Sequence, residues 1–211
     1  MSYATLKGNG GIYMCKVINL RPELTAISTK HSKSARMIAN LMTDDSTILD
    51  YGCGTGRNMA YLLEQGAHCL CGTDIPEQLK AQEAKHNALR EKGCLIMDSA
   101  YYASNSIDLI LCSHVLNVIE SDSVKQNVVN DIADLLAKGG KAIIEVRTAH
   151  DIESAKTKEA YRNGWLIKKG NAMTYQEAIS KAKLEDLCKN AGLKIVDHIC
   201  NSSKHIITVE K

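Results

Sequence analysis

Residues 46–56 read STILDYGCGTG, in which a short stretch around Ile48 and Leu49 ends in an acid and opens into glycines spaced two residues apart. Residues 46–51 are interpreted as a buried strand. Glycines at its end allow positive φ and let the backbone approach a ligand closely. Ligands of open α/β sheets bind beyond the carboxyl ends of the strands. The stretch predicts a strand, a ligand-binding turn and a helix over 57–65.

The rest of the chain alternates between strand and helix patterns. Strands are predicted at 11–20, 67–74, 94–98, 107–113 and 141–147, and helices at 31–42, 76–92 and 122–138. Thr174-x-x-Glu177 has the spacing of a capping box, which predicts a helix from there to about Ala191. Two strands separated by Asn201-Ser202-Ser203 form a terminal hairpin. Residues 148–173 are polar and predicted to be irregular.

This order predicts an α/β fold, a Rossmann-like seven-stranded sheet that is mostly parallel, with helices on both faces. The C-terminal hairpin would add one antiparallel strand at the sheet edge. A length of 211 residues with 45% hydrophobic content fits a single domain over 1–211. Within it we expect an N-terminal cover segment (1–43), a cofactor-binding core (44–147) and an acceptor-side segment with the closing hairpin (148–211).

The acids around the glycine turn indicate which ligand it holds. Asp74 ends the second strand of the core, where a carboxylate can accept both hydroxyls of a ribose. A dinucleotide fold requires G-x-G-x-x-G, but Arg57 occupies the position of the third glycine. Asp50 can hold an ammonium group, which a pyrophosphate would not provide. The pattern favours an amino acid joined to a nucleoside; an ordinary glycine turn is the alternative.

Residues 34–210 resemble the class I S-adenosylmethionine-dependent methyltransferases. ILDYGCGTGRN is similar to their nucleotide loop, IDLILCSHVL to their fourth-strand motif, and LLAKGGKAIIEV to their L-x-P-G-G turn with Lys138 in place of Pro. The resemblance implies that S-adenosylmethionine is the cofactor, that Asp74 binds its ribose, and that Asp98 and Ser99 lie near its adenine. The full set of implied cofactor-binding residues is Asp50, Gly52, Gly54, Gly56, Asp74, Ile75, Asp98, Ser99 and Ser113.

A second resemblance is narrower. Residues 25–28 (TAIS), 114–120 (HVLNVIE) and 163–176 (NGWLIKKGNAMTYQ) are similar to methyltransferases encoded beside DNA phosphorothioation genes. This similarity implies an acceptor connected with nucleic-acid metabolism or defence.

Three histidines are candidates for the chemistry of methyl transfer. His114 follows the fourth core strand at the mouth of the site, His31 precedes the first long helix, and His150 follows the fifth core strand. Any of them could act as a general base or position the acceptor. Their structural alternatives are a helix-start histidine bonded to backbone for His114 and a solvated cap for His31. The sequence contains no C-x-x-C pair, the spacing that would indicate a metal site such as a zinc ribbon.

The acceptor itself is left open between a small molecule and a nucleic-acid-related group. The D/N/S-P-P-aromatic motif of amino-methylating DNA enzymes and the Pro-Cys of cytosine C5 enzymes are both absent after the fourth strand, which reads Cys112-Ser113-His114-Val115. The net charge of +2 does not indicate a dedicated nucleic-acid binder. Lys168, Lys169, Trp165 and Tyr161 could form a basic and aromatic lip for a base, or a solvated loop around a buried Trp.

Two other function classes compete with an active enzyme. The chain could be a non-catalytic S-adenosylmethionine-binding module of a larger assembly, although its glycine loop and acids are intact. A nicotinamide oxidoreductase is disfavoured by Arg57 and by the terminal hairpin. Eight cysteines without a disulfide-like pattern fit the reducing cytosol, and we expect neither a signal peptide nor a membrane span.

Overall fold

The computed structural model describes residues 2–8, 11–26, 28–152 and 158–211. Residues 2–8 and 11–17 are described by their backbone alone. The chain begins with an antiparallel hairpin of β1 (Ser2–Gly8) and β2 (Gly11–Val17). The sequence predicted a single strand over 11–20. The prediction missed β1 because residues 2–8 carry a weak strand pattern before the glycines.

A seven-stranded sheet forms the centre of the fold. Its strands are β3 (Thr47–Tyr51), β4 (Cys69–Thr73), β5 (Leu95–Ile96), β6 (Ile107–Ser113), β7 (Leu136–Arg147), β11 (Lys194–Cys200) and β12 (Lys204–Glu210), in the order β11-β12-β7-β6-β3-β4-β5. Strands β3 to β7 pair in parallel, whereas β12 pairs antiparallel with both β7 and β11. The Rossmann-like, mostly parallel sheet is confirmed.

The position of the antiparallel strand differs from the prediction. β12 lies inside the sheet, between β7 and β11, and β11 forms the edge. Ile206, Ile207 and Val209 of β12 are buried, whereas β11 has no residue in the buried class. The more apolar strand of the hairpin therefore takes the interior place, which the hairpin pattern alone does not reveal.

Helices cover both faces of this sheet. They are α1 (Lys33–Leu41), α2 (Arg57–Glu64), α3 (Pro76–Ala81), α4 (Glu83–Arg90), α5 (Asp122–Leu135), α6 (Ala149–Ile152) and α7 (Lys181–Asn190). One apolar cluster joins α5 and α7 to one face, and a second joins α1, α2 and α4 to the other. The helix predicted over 76–92 breaks at Gln82, where φ is −113° and ψ is 17°. The break lets α3 bury Gln78 and α4 bury His86 and Leu89.

A second, three-stranded sheet occupies much of the stretch predicted to be irregular. β8 (Lys158–Tyr161), β9 (Gly164–Lys169) and β10 (Ala172–Gln176) pair antiparallel in the order β10-β9-β8. The capping-box prediction was wrong: Thr174 lies in β10, and α7 begins at Lys181 with the Ser180 side chain as its cap. The competing contact is the backbone N–H of Glu177, which donates to the Asn117 carbonyl at 2.7 Å and keeps the chain extended.

Backbone hydrogen bonds join this small sheet to the N-terminal segment. Arg21 N–H donates to the Met173 carbonyl at 2.9 Å, and Met173 N–H donates to the Asn19 carbonyl at 3.0 Å. Leu20 thereby forms an isolated parallel bridge with Met173. Two stretches far apart in sequence thus form one cover beside the carboxyl ends of the central strands. Within the described part of the chain, no helix is long and apolar enough to cross a membrane.

Candidate active site

A cavity of about 610 Å³ lies where the central strands end and the cover begins. Its walls come from the glycine turn after β3, the ends of β4 and β6, residues between 20 and 26 with Ser28, residues between 114 and 128, and the last residues of β10. The volume falls in the usual range for sites that bind small ligands, roughly 300–1,000 Å³. The cavity occupies the position at which open α/β sheets bind their ligands.

The glycine turn is held in a conformation that other residues rarely adopt. Gly52, Gly54 and Gly56 have φ values of +78°, +55° and +75°. A Cβ on Gly52 would lie 2.2 Å from Cγ2 of Val115, and one on Gly56 would lie 2.4 Å from Cδ1 of Leu89. Gly52 and Gly54 line the cavity, whereas Gly56 lies behind it as the N-cap of α2. The turn therefore needs glycine for packing as well as for ligand approach.

His86 of α4 supports the turn from behind. Its Nε2–H donates to the Gly54 carbonyl at 2.9 Å, and its side chain is fully buried. Burial lowers the pKa of this imidazole, so the ring is neutral at pH 7. His86 thus fixes the turn without adding a charge beside the cavity.

Asp50 is the most unusual acid of the site. It is fully buried, and neither carboxylate oxygen accepts a hydrogen bond of ordinary geometry from the residues that the structure describes. Burial raises the pKa of Asp50 to about 7, although the positive charge of Arg57 acts in the opposite direction. Unpaired buried acids are costly, so this carboxylate is suited to a cationic partner such as an ammonium group.

Asp74 and Asp98 line the same cavity. The Asp74 carboxylate accepts the N–H of Gly54 at 2.7 Å and the N–H of Ile75 at 2.8 Å. Burial raises the pKa of Asp74 to about 6 despite these two bonds. Asp98 accepts the N–H of Ala100 at 3.0 Å. Each carboxylate oxygen retains a lone pair that can accept a ligand hydroxyl or amino group.

The remaining predicted cofactor residues also surround the cavity. Ile75, Ser99 and Ser113 line it, and the buried Ser113 hydroxyl has no partner among the described residues. Of the nine residues predicted to hold the cofactor, Asp50 and Gly56 alone do not contribute to the cavity wall. Asp50 lies beneath the wall at the end of β3.

His114 lies at the cavity wall in a left-handed conformation, with φ +65°. Its backbone N–H donates to the Glu145 carbonyl at 2.7 Å, and its Nε2 lies 3.6 Å from Glu145 Oε1. Burial lowers the pKa of His114 to about 4, outweighing the Glu145 carboxylate, which acts to raise it. The imidazole is therefore uncharged at pH 7. Its buried Nδ1 has no partner in the described structure.

The other two histidine candidates lie elsewhere. His31 stacks on Tyr61 of α2 with ring centroids 3.9 Å apart. His150 is exposed in α6. Neither lines the cavity. The structure thus brings one of the three candidate histidines to the cavity that the predicted cofactor-binding residues surround.

Glu145 and Arg147 of β7 were missed from the sequence. Glu145 is fully buried and accepts bonds from the Ser34 N–H (2.9 Å), the Ser34 hydroxyl (2.6 Å) and the Lys204 ammonium (2.6 Å). Burial raises the pKa of Glu145, but the hydrogen bonds from the Lys204 ammonium and from Ser34 help to hold it below its usual value. An acid inside the apolar run KAIIEVR was the available signal, because unpaired acids are rarely buried in central strands. Arg147 lines the cavity directly.

A buried polar network anchors the cover to the helices. The fully buried Lys125 of α5 donates to Glu177 Oε2 at 2.7 Å and to Asp122 at 3.0 Å. Lys183 of α7 donates to Glu177 Oε1 at 2.6 Å, and the Tyr175 hydroxyl donates to Oε2 at 2.8 Å. Tyr175 lines the cavity, so this network positions one wall of the site.

Comparison with known proteins agrees with this geometry. A family model described as a methyltransferase domain matches residues 20–198. The chain belongs to this methyltransferase domain family. A candidate methyltransferase from Encephalitozoon cuniculi is 23% identical in an alignment 203 positions long that covers 90% of this chain and 90% of that protein.

Solved structures share the fold of this methyltransferase. An S-adenosylmethionine-dependent methyltransferase from Methanosarcina mazei has a TM-score of 0.64 at 15% identity, covering 83% of this chain and 96% of its own. A second match is the 1,6-didemethyltoxoflavin N1-methyltransferase of Burkholderia thailandensis, solved with bound 1,6-didemethyltoxoflavin and S-adenosylhomocysteine. It has a TM-score of 0.59 at 20% identity, and the match covers 85% of this chain and 78% of that chain. The predicted fold and enzyme class, an S-adenosylmethionine-dependent methyltransferase, are confirmed at the level of family and fold.

Proposed function

We propose that this methyltransferase binds S-adenosylmethionine in the 610 Å³ cavity and transfers its methyl group to a small-molecule acceptor. The observation that carries the proposal is a cavity lined by the glycine turn, Asp74 and Asp98, with the buried Asp50 carboxylate beneath its wall. When bound, S-adenosylmethionine supplies an electrophilic methyl group on a sulfonium. Asp50, from beneath the wall, would attract its ammonium group, Asp74 would bind its ribose, and Asp98 with Ser99 would bind its adenine.

The cover supports a small acceptor over a nucleic acid. Leu20, Pro22 and Tyr175 present largely apolar surface to the cavity. By contrast, Trp165 does not line the cavity, and the Lys158 ammonium lies 4.5 Å from the centre of its ring. A ring covered in this way has one face fewer for stacking on a base. The resemblance to proteins encoded beside phosphorothioation genes keeps a nucleic-acid-related acceptor as the alternative for substrate screens.

The first experiment tests the cofactor. At pH 8 we expect S-adenosylhomocysteine at 100 times its Kd to stabilise the protein by about 2.7 kcal/mol, which raises Tm by roughly 5–10 °C. The shift should shrink at pH 5.5, because Asp50, with a pKa of about 7, and Asp74, with a pKa of about 6, are then both mostly protonated and attract the ligand less. Differential scanning fluorimetry at both pH values measures this.

The matched controls are NAD and the variant Asp50→Asn. NAD should leave Tm unchanged, and Asp50→Asn should give a smaller shift that varies less between the two pH values. A Tm increase with NAD and none with S-adenosylhomocysteine would assign the cavity to a dinucleotide instead.

The second experiment tests the role of His114. An uncharged imidazole at the cavity wall can accept a proton or a hydrogen bond from the acceptor during transfer. We expect His114→Asn, which tolerates the left-handed backbone, to lower the single-turnover rate by about 100-fold with cofactor affinity retained. Radiolabelled methyl transfer to fractionated small-molecule, protein and nucleic-acid pools first identifies the acceptor for this assay.

His31→Ala and His150→Ala are the matched controls, since neither histidine lines the cavity. Both should keep the wild-type rate. A full rate in His114→Asn would mean that alignment alone carries the reaction and that no histidine takes part.

We also propose that the protein acts in a reducing compartment such as the cytoplasm. Seven cysteines are free among the described residues, and five of them are buried. Buried free thiols are typical of proteins kept under reducing conditions.

A further inference from the structure

A cluster of metal-ligating side chains lies on the hairpin of β11 and β12, away from the cavity. His198 and Cys200 are two residues apart on β11 and so point to the same face of the sheet. His205 of β12 lies directly opposite Cys200 in the antiparallel register. One potential ligand atom from each of the three residues lies within 4.8 Å of the other two.

Both imidazoles have a buried nitrogen that the rest of the described structure does not use. His198 Nδ1 lies 3.1 Å from Glu185 Oε1 of α7, and because a carboxylate only accepts, the Nδ1–H donates to it. His198 Nε2 and His205 Nδ1 are both buried and have no hydrogen-bond partner in the described structure. The rings lie nearly perpendicular, at 83°, with centroids 5.7 Å apart. Two unpaired buried nitrogens beside a free thiol require a physical reason.

The chemistry of the three side chains suits a cation that takes soft or borderline ligands. Imidazole nitrogen and cysteine sulfur are the ligands that such cations prefer in proteins. Cys200 is exposed and forms no disulfide, so its sulfur is accessible from solvent. The charged groups on α7 beside the cluster are Glu185 and two lysines that pair with it, Lys181 at 3.7 Å and Lys189 at 3.8 Å.

We propose that His198, Cys200 and His205 bind Zn²⁺, with Glu185 orienting His198 from outside the ligand set. Bonds of 2.0–2.3 Å in a tetrahedral site place ligands roughly 3.3–3.8 Å apart, which side-chain rotation reaches from the observed separations. A carboxylate hydrogen-bonded to the second nitrogen of a ligating imidazole is the usual outer contact of zinc histidines. Water would take the fourth coordination position of the ion. The three ligands have the sequence spacing H-x-C-x₄-H, which a search for C-x-x-C pairs does not detect.

Calorimetric titration of the full-length, chelator-treated protein with ZnCl₂ tests this site. We expect one equivalent to bind, with at least 10-fold weaker affinity in Cys200→Ser and in His205→Gln. Glu185→Gln should weaken binding by about 10-fold, as measured for outer contacts of zinc histidines. Co²⁺ should give the visible absorption of a tetrahedral site with a sulfur charge-transfer band that is absent in Cys200→Ser.

The matched control is the double variant His68→Asn/Cys69→Ser. It removes an exposed histidine just before β4 and an exposed cysteine at its first residue, four strands from β12 and five from β11 in the sheet. Zinc affinity should be unchanged in this variant, and circular dichroism checks that every variant is folded. Equal zinc affinity in wild type and Cys200→Ser, or loss of binding in the double variant, would overturn the proposal.

Discussion

Replacing Asp74 with alanine is expected to lower the affinity for S-adenosylhomocysteine by at least 100-fold. The Asp74 carboxylate anchors the glycine turn through the Gly54 N–H, and its free lone pairs face the cavity. Each hydrogen bond to a charged group contributes about 1.5–3 kcal/mol. Losing two bonds to a ribose therefore costs about 3 kcal/mol or more, and calorimetry at pH 8 measures this loss as a change in Kd.

Asp44→Ala is the matched control, because Asp44 is exposed in the loop before β3. Its affinity for the ligand should equal that of the wild type. Both variants should unfold cooperatively near the wild-type Tm in the absence of ligand. A folded Asp74→Ala protein with wild-type affinity would show that the ribose is bound by other groups.

Replacing Glu177 with alanine is expected to lower the free energy of unfolding more than any of the other single substitutions. Lys125 is fully buried, and without Glu177 its ammonium keeps only Asp122, whose side chain is 54% exposed. Leaving a buried charge without its partner costs about 3–5 kcal/mol. Since each kcal/mol shifts Tm by about 2–4 °C in a chain of this size, Tm should fall by roughly 6–20 °C. Urea denaturation monitored by circular dichroism gives the free energy directly.

Two further variants separate the buried charge from a general effect of mutation. Lys189→Ala removes an exposed ion pair with Glu185 and should change stability by less than about 0.5 kcal/mol. The double variant Lys125→Met with Glu177→Gln removes both charges and should recover much of the loss. If the double variant is as unstable as Glu177→Ala, the hydrogen bonds of Glu177 matter more than the charge of Lys125.

The parts of the fold that sequence predicts well are those encoded locally. The run STILDYGCGTG contains its own strand, turn and helix start, and the structure has β3, the positive-φ glycines and α2 in that order. The acids that follow, Asp74 and Asp98, could be placed at the same cavity because carboxyl ends of parallel strands meet at one sheet edge.

The parts that sequence misses depend on distant partners. Thr174 and Glu177 match a capping box, but Glu177 instead pairs with Lys125, 52 residues away. Glu145 lies in a run that reads as an apolar strand. Its carboxylate nevertheless accepts a hydrogen bond from the hydroxyl of Ser34, 111 residues earlier in the chain. His31 could be placed before α1, but its stacking on Tyr61 is not encoded near it. No local pattern reports such pairings.

The interior position of β12 has a consequence for synthesis on the ribosome. The central sheet cannot close until residue 210 has left the exit tunnel, because β12 bridges β7 and β11. At 5–20 residues per second, the 63 residues from 148 to 210 take roughly 3–13 s to synthesise. During that interval β7, with Ile143, Ile144 and Val146, has no strand beside it on its β12 side. Unpaired apolar edges aggregate, so the nascent chain depends on the rate of translation and on chaperones during this interval.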